Sequence, residues 1–455
     1  MNALFARHAL LPEGWQGDVL IEWDGRGNLT RVEPKARPPI GVARADYVVP
    51  GMVNLHSHAF QRALGGLTEK AGEGPDSFWT WRDLMYRFAA HITPEQLEAI
   101  AAQLFSECLR HGYTALCEFH YIQRDPHGAF HARPAEMAER IAAAGQQSGI
   151  GLTLLPVLYS YSGFGGQALK PEQARFRTDV DDVLRIVEAL APLRGGQLEV
   201  GAAPHSLRAA GIDQIRELAA ALPSNRPLHI HIAEQPGEVR QSIAFSGRRP
   251  VEYLFEHIGI DARWCLVHAT HLTERETLQL ARSGAVAGLC PTTEANLGDG
   301  VFPLPAFLAA NGRFGIGSDS HVSQSPVEEL RWLEYGQRLV RGSRNVAASP
   351  ARRDVGLNLW QDALSGGAAA SGRPVGALAA GRRADLLVLD SAHPNLEGAL
   401  ESDVLGRLVF CGNDNLVRDV LAGGRWVVQG GRHMAQEAIA RRYRNAINQL
   451  REVRA

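Results

Sequence analysis

Between residues 51 and 365, short apolar runs alternate with longer segments in which apolar positions recur at helical spacing. The runs occupy residues 53–58, 113–120, 151–159, 198–206, 228–235, 264–270, 285–289 and 314–320, and they tend to end in polar groups. Continuous apolar runs of this length read as strands buried on both faces, the condition of a parallel rather than an antiparallel sheet. Eight of them separated by helices predict an α/β fold built on a closed (β/α)8 TIM-like barrel. One intervening helix carries its own start signal, with Thr93 as N-cap, Pro94 at the first helical position and Gln96 at the third.

Outside this span the pattern changes. Residues 18–23 read as a strand, followed by the turn signal Asp24-Gly25-Arg26-Gly27-Asn28 and a second short strand at 29–32. A similar β-rich pattern returns at 381–390 and 417–428. Neither end can bury a core alone, so the two are expected to meet in one small discontinuous β-sandwich. The expected organisation is residues 1–50 and 366–435 as the two parts of that sandwich around a barrel at 51–365. Residues 436–455 carry Ile439, Tyr443, Ile447 and Leu450 as one stripe, the pattern of a docked terminal helix.

The 455 residues are enough for a barrel of about 250 residues and an accessory domain. With 45% hydrophobic and 21% charged residues and a net charge of −2, the chain is neither disordered nor shaped for a polyanion, so no nucleic-acid partner is expected. Its five cysteines are odd in number and form no C-x-x-C pair, which suits a reducing, cytoplasmic setting. No export signal and no apolar stretch long enough for a membrane span is visible, so no membrane partner is expected.

The chemistry concentrates at strand ends. The apolar run from Val49 reads as one buried strand ending in His56-Ser57-His58, whose two imidazoles share a face. His231 on the fifth run can face the same lumen, and Asp319 follows the eighth. His56, His58, His231 and Asp319 would make a three-nitrogen, one-oxygen site for a first-row divalent ion. Glu234 and His268 lie beside it as titratable groups without an assigned role. Asp319 has a second reading as N-cap of the helix entered at Ser325-Pro326, a place Ser323 could also fill.

His56-Ser57-His58, His231 in H-I-A-E, His268 in V-H-A-T and Asp319 in G-S-D-S resemble the amidohydrolase superfamily, in its metal-dependent aminohydrolase branch. Residues 54–62, 76–82, 118–121 and 204–208 are similar to members of that branch that deiminate a formimino acid in bacterial histidine degradation. The resemblance implies metal-dependent hydrolysis of N-formimino-L-glutamate to N-formyl-L-glutamate and ammonia. It implies one divalent ion, zinc foremost and iron(II) as the alternative, because the bridging lysine of binuclear members is absent from His205-Ser206-Leu207-Arg208. In that chemistry Asp319 accepts a proton from water, Glu234 shuttles protons to the leaving nitrogen, and His268 steadies water or intermediate. Gln61, Tyr121, His205, Arg208 and His268 match substrate-contacting positions, and superfamily relatives imply a homodimer. A dicarboxylate amidine suits planar guanidinium groups, which makes Arg82 a further candidate; its other reading is an arginine stacked on Trp79 or Trp81. The stretch 162–166 lacks the G-K-[ST] ending of a phosphate loop and reads as a mobile active-site loop. Two other functions are weighed: an aminohydrolase for a cyclic amidine such as guanine or cytosine, and a catalytically dead scaffold barrel.

Overall fold

The computed structural model describes residues 2–70 and 78–452. Eight parallel strands surround one axis: Met52–Ser57, Tyr113–His120, Gly151–Leu158, Leu198–Val200 continued by Ala203–Pro204, Leu228–Ile232, Trp264–His268, Val286–Leu289 and Arg313–Ile316. Neighbours pair in parallel from the first strand to the fourth and from the fifth to the eighth. Parallel bridges Ser206–His231 and Ser57–Asp319 join the two halves into a closed ring. Every residue of the first three strands is buried, as helices on one side and side-chain layers on the other require.

Three details differ from the sequence reading, each for a local reason. The run from Val49 to Ser57 is two strands, because Ala43–Pro50 belongs to another sheet and Gly51 is the pivot between them. A Cβ at Gly51 would lie 2.3 Å from the Thr114 side chain. The fourth strand is interrupted after Val200, where Gly201 lets the chain pass close to the carbonyl of Pro227. The eighth strand stops at Ile316, so Asp319 sits in the following loop with φ of 44°.

The chain ends share one eight-stranded sheet. Its order is Arg432–His433, Arg425–Gln429, Val417–Ala422, Leu386–Leu389, Ala43–Pro50, Asn2–Leu11, Gly14–Trp23 and Leu29–Glu33. Alternation divides its faces: Leu386 and Val388 join Leu4, Ile21 and Val48 in a separate core, while Leu387 and Leu389 pack with the barrel's hydrophobic residues. The helix Gln436–Glu452 docks on the barrel helix Pro94–His111, with Gln449 accepting from Gln96 at 3.1 Å and Arg442 paired with Glu98 at 2.7 Å. That barrel helix opens with the expected reciprocal cap between Thr93 and Gln96. No helix among the described residues is long and apolar enough to cross a membrane, and the five cysteines are free thiols.

His120, at the end of the second strand, is fully buried, and burial pushes its pKa down to about 3. An unfolded histidine titrates near about 6.5, so between these values the unfolded chain holds a proton that the folded chain lacks, and stability falls as pH drops. This residue alone is expected to remove roughly 3 kcal/mol between pH 7 and pH 4. Urea unfolding across that range should show a shallower pH dependence in His120→Gln; parallel slopes would rule the residue out.

Candidate metal centre and active site

Four side chains converge at the carboxyl ends of the strands. His56 and His58 come from the close of the first strand, His231 from the fifth, and Asp319 from the loop after the eighth. Asp319 Oδ1 lies 3.4 Å from His56 Nε2 and 3.3 Å from His58 Nε2. His231 Nε2 is 2.9 Å from His56 Nε2, and the four donor atoms lie within 4.8 Å of one another. His58 donates from Nδ1 to the carbonyl of Phe119 at 2.8 Å, and His231 from Nδ1 to the carbonyl of His205 at 3.0 Å. Those bonds select the tautomer whose Nε2 lone pair points into the cluster. Burial pushes His56 down to about 3 and lowers His58 and His231, so the imidazoles are held neutral, as ligands must be. Two imidazole nitrogens this close, with a carboxylate beside them, suit a cation among them, and the donor set fits a first-row divalent metal.

A layer of buried titratable groups covers the cluster. Glu234 follows the fifth strand, where Glu238 accepts the backbone N–H groups of Ala233 and Glu234, each at 3.1 Å. Its carboxylate stands 3.7 Å from His268 Nε2 and 3.5 Å from Arg208 Nη2. Burial raises the Glu234 pKa against the opposing charges of His268 and Arg208. Burial also works against a charged His268, but Glu234, Glu294 and Asp319 outweigh it and lift the imidazole to about 10. The nearest oxygen of Glu294 is 3.3 Å from His268 Nδ1. Asp319 is pulled the other way: burial favours its neutral form, but His56, His268 and His58 hold it below the usual carboxylate range. Ala233, His268, Ala269 and Asp319 all take left-handed backbone conformations, a concentration of strain at strand ends that the surrounding hydrogen bonds hold in place.

Above this layer opens a narrow cleft. Gln61, Arg82, Tyr121, His205 and Arg208 line it together with His58, His231, Glu234, His268 and Asp319, while His56 lies beneath. Gln61 donates to the Tyr121 hydroxyl at 2.9 Å and leaves its carbonyl oxygen without a partner. Arg208 and Arg82 each keep a buried Nε without a hydrogen-bond partner. The two readings of Arg82 coexist, because its guanidinium lies 4.6 Å from the Trp79 ring and still lines the cleft. The capping role for Asp319 does not hold: the helix Pro326–Arg341 has Ser325 as N-cap without a side-chain cap, and Ser323 instead binds Glu328 and the Ser325 N–H. Ser162 of the glycine-rich stretch reaches the cleft, whereas Asp76 and Ser77 lie outside the described residues.

Sequence reasoning missed several buried groups here. Glu118 accepts from Ser57 at 2.6 Å and from the Ala59 N–H at 2.7 Å, bracketing the two histidines, and burial raises it to about 8. His321, Glu294, Tyr86 and Tyr159 were missed as well; each contacts a site residue through the fold and carries no motif.

Residues 47–427 match the model of the amidohydrolase family, and residues 1–41 match that described as the formimidoylglutamate deiminase HutF N-terminal domain. A formimidoylglutamate deiminase of Pseudomonas aeruginosa is 52% identical over 451 residues, covering 99% of this chain and 100% of that protein. An amidohydrolase structure from Brucella melitensis superposes with a TM-score of 0.95 at 45% identity, covering 99% of this chain and 100% of that one. A zinc-bound adenosine deaminase structure from Xanthomonas campestris superposes at 0.81 with 22% identity, covering 99% and 98%, which is a likeness of fold.

The cluster makes a direct prediction. His231→Ala removes one of three nitrogens and should weaken zinc binding by more than about 100-fold, read by competition with a chromophoric chelator. Unchanged affinity would remove His231 from the metal centre.

Proposed function

The chain belongs to the amidohydrolase family, and we propose that it hydrolyses N-formimino-L-glutamate to N-formyl-L-glutamate and ammonia, a step of histidine degradation. The observation that carries the substrate reading is structural. Two guanidinium groups, the half-buried Arg82 and the buried Arg208, line the same cleft as the His–Asp cluster, and each keeps an unpartnered Nε–H. Carboxylates satisfy such donors and neutralise their charge, whereas a flat neutral ring leaves two positive charges uncompensated.

His56, His58, His231 and Asp319 would hold one divalent ion, whose contribution is Lewis-acid activation of water. Zinc is the ion we assign, with iron(II) as the alternative the same ligands accept. Asp319 accepts a proton from the attacking water as its oxygen bonds to the formimino carbon. The electron pair of the C=N bond moves to nitrogen, which takes a proton from Glu234. The His268 imidazolium, 3.9 Å from Asp319 Oδ2, faces the negative charge that builds on oxygen. The deprotonated Glu234 takes the hydroxyl proton of the tetrahedral intermediate and passes it to nitrogen, which leaves as ammonia while the C=O bond forms, and the proton held by Asp319 restores Glu234. Gln61, Tyr121 and His205 complete the substrate contacts.

We further assign the protein to the cytoplasm as a homodimer acting on a free small molecule. The free thiols support a reducing compartment. Trp332, Leu339 and Val340, exposed on one helix, supply apolar surface for self-association.

Ammonia release from N-formimino-L-glutamate, measured beside guanine, cytosine and N-formyl-L-glutamate, tests the reading; release from a nucleobase alone would overturn it. Glu234→Gln should keep its metal content and lose about 10²- to 10⁴-fold in kcat. Arg208→Met should lose about 10- to 100-fold in kcat/KM on the formimino acid, the size of a charged hydrogen-bond contact. An unchanged KM and kcat would exclude Arg208 as the carboxylate anchor.

A further inference from the structure

Gln173 sits buried in the short helix Pro171–Phe176, and its amide has one possible orientation. The backbone N–H of Lys170 donates to its side-chain oxygen at 3.0 Å, so the amide nitrogen faces the opposite way. That nitrogen donates to the hydroxyl oxygens of Tyr159 at 2.8 Å and of Tyr86 at 3.3 Å. The two hydroxyls are 3.2 Å apart, so one donates to the other. The hydrogens can then be counted. Both tyrosine oxygens already accept from Gln173, one O–H is spent between them, and one O–H remains without an acceptor among the described residues.

Both rings line the cleft. The Arg82 guanidinium lies over the Tyr86 ring at 5.5 Å, and the Tyr159 ring is 4.7 Å from that of His205. Burial pushes the Tyr159 phenol well above its ordinary value, so its hydrogen is kept through the working pH range. Guanidinium groups offer donors only, and three of the four acceptor positions of the hydroxyl pair are engaged within the cluster. This wall of the cleft therefore presents mainly donors, and the group that satisfies them is an acceptor such as a carboxylate.

We infer that Tyr86 and Tyr159 act as one shared O–H donor, oriented by Gln173, that recognises a carboxylate of the substrate together with Arg82 and Arg208. The inference rests on the formimino-dicarboxylate reading given above. Gln173 is a positioning residue in this arrangement, and the tyrosines touch substrate.

The test compares wild type, Tyr86→Phe, Tyr159→Phe and the double variant at equal metal content. The substrates are N-formimino-L-glutamate, N-formiminoglycine, which lacks the side-chain carboxylate, and γ-formiminobutyrate, which lacks the α-carboxylate. Each single change frees the hydrogen of the surviving hydroxyl, so one donor persists and kcat/KM should fall by less than about 5-fold. The double variant should lose about 10- to 100-fold, carried by KM with kcat nearly constant, and should bind N-formyl-L-glutamate more weakly by a similar factor in calorimetry. The loss should vanish on whichever analogue lacks the contacted carboxylate. An unchanged KM in the double variant, or equal losses on both analogues, overturns the role of the pair. A single variant that loses as much as the double overturns the sharing. Wild-type protein that releases no ammonia from any of the three removes the substrate reading, and the role of the pair with it.

Discussion

Two backbone hydrogen bonds hold this molecule's chemistry together: Asp319 N–H to the carbonyl of His56 at 3.0 Å, and His58 N–H to the carbonyl of Asp319 at 3.3 Å. They join the first barrel strand to the loop after the last, so the same contact closes the ring and sets Asp319 against the two histidines. Asn54 reinforces the seam by accepting the Ser318 N–H at 3.0 Å. Gly317 permits it, since a Cβ there would meet the His56 backbone at 2.8 Å. Barrel closure and cluster geometry are therefore one event, and damage to either disturbs both.

From that seam the site divides into two electrostatic regions. The floor holds imidazoles that burial keeps neutral, facing a carboxylate that its neighbours keep ionised. One layer up, His268 and Glu234 share charge with Arg208 and Asp319 in a space that excludes most water. The cleft above also carries Arg82, whose guanidinium lies over the rings of Trp79 and Tyr86. On the proposed reading, Glu234 and His268 serve the reacting end and the guanidinium groups of Arg82 and Arg208 the anchoring end.

Much of this was legible in the sequence, for a definite reason. A buried parallel strand must be apolar along its length, so eight such runs announce a ring, and a histidine pair at i and i+2 on one of them must share a face. The pattern could not say that the run from Val49 crosses from one sheet to another at Gly51, because apolar residues serve both sheets equally. Nor could alternation reveal that Asp319 leaves the strand with a left-handed φ of 44°. The groups behind the site were hidden for a different reason. Ser57 and His321 are 264 positions apart, and Gln173 and Tyr86 are 87 apart. Each pair is joined by a single side-chain contact that leaves no period and no motif.

The sheet shared by the chain ends bears on how the protein is made. Ala43–Pro50 pairs with Leu386–Leu389, yet a ribosome releases the first of these strands long before the second. At about 5–20 residues per second, the interval is on the order of half a minute. Through that time the amino-terminal strands present an open hydrogen-bonding edge in a crowded compartment, next to the residues that begin the barrel. Vectorial synthesis thus leaves the nascent chain dependent on something to shield that edge, and a slow stretch of translation after residue 50 would lengthen its exposure to aggregation.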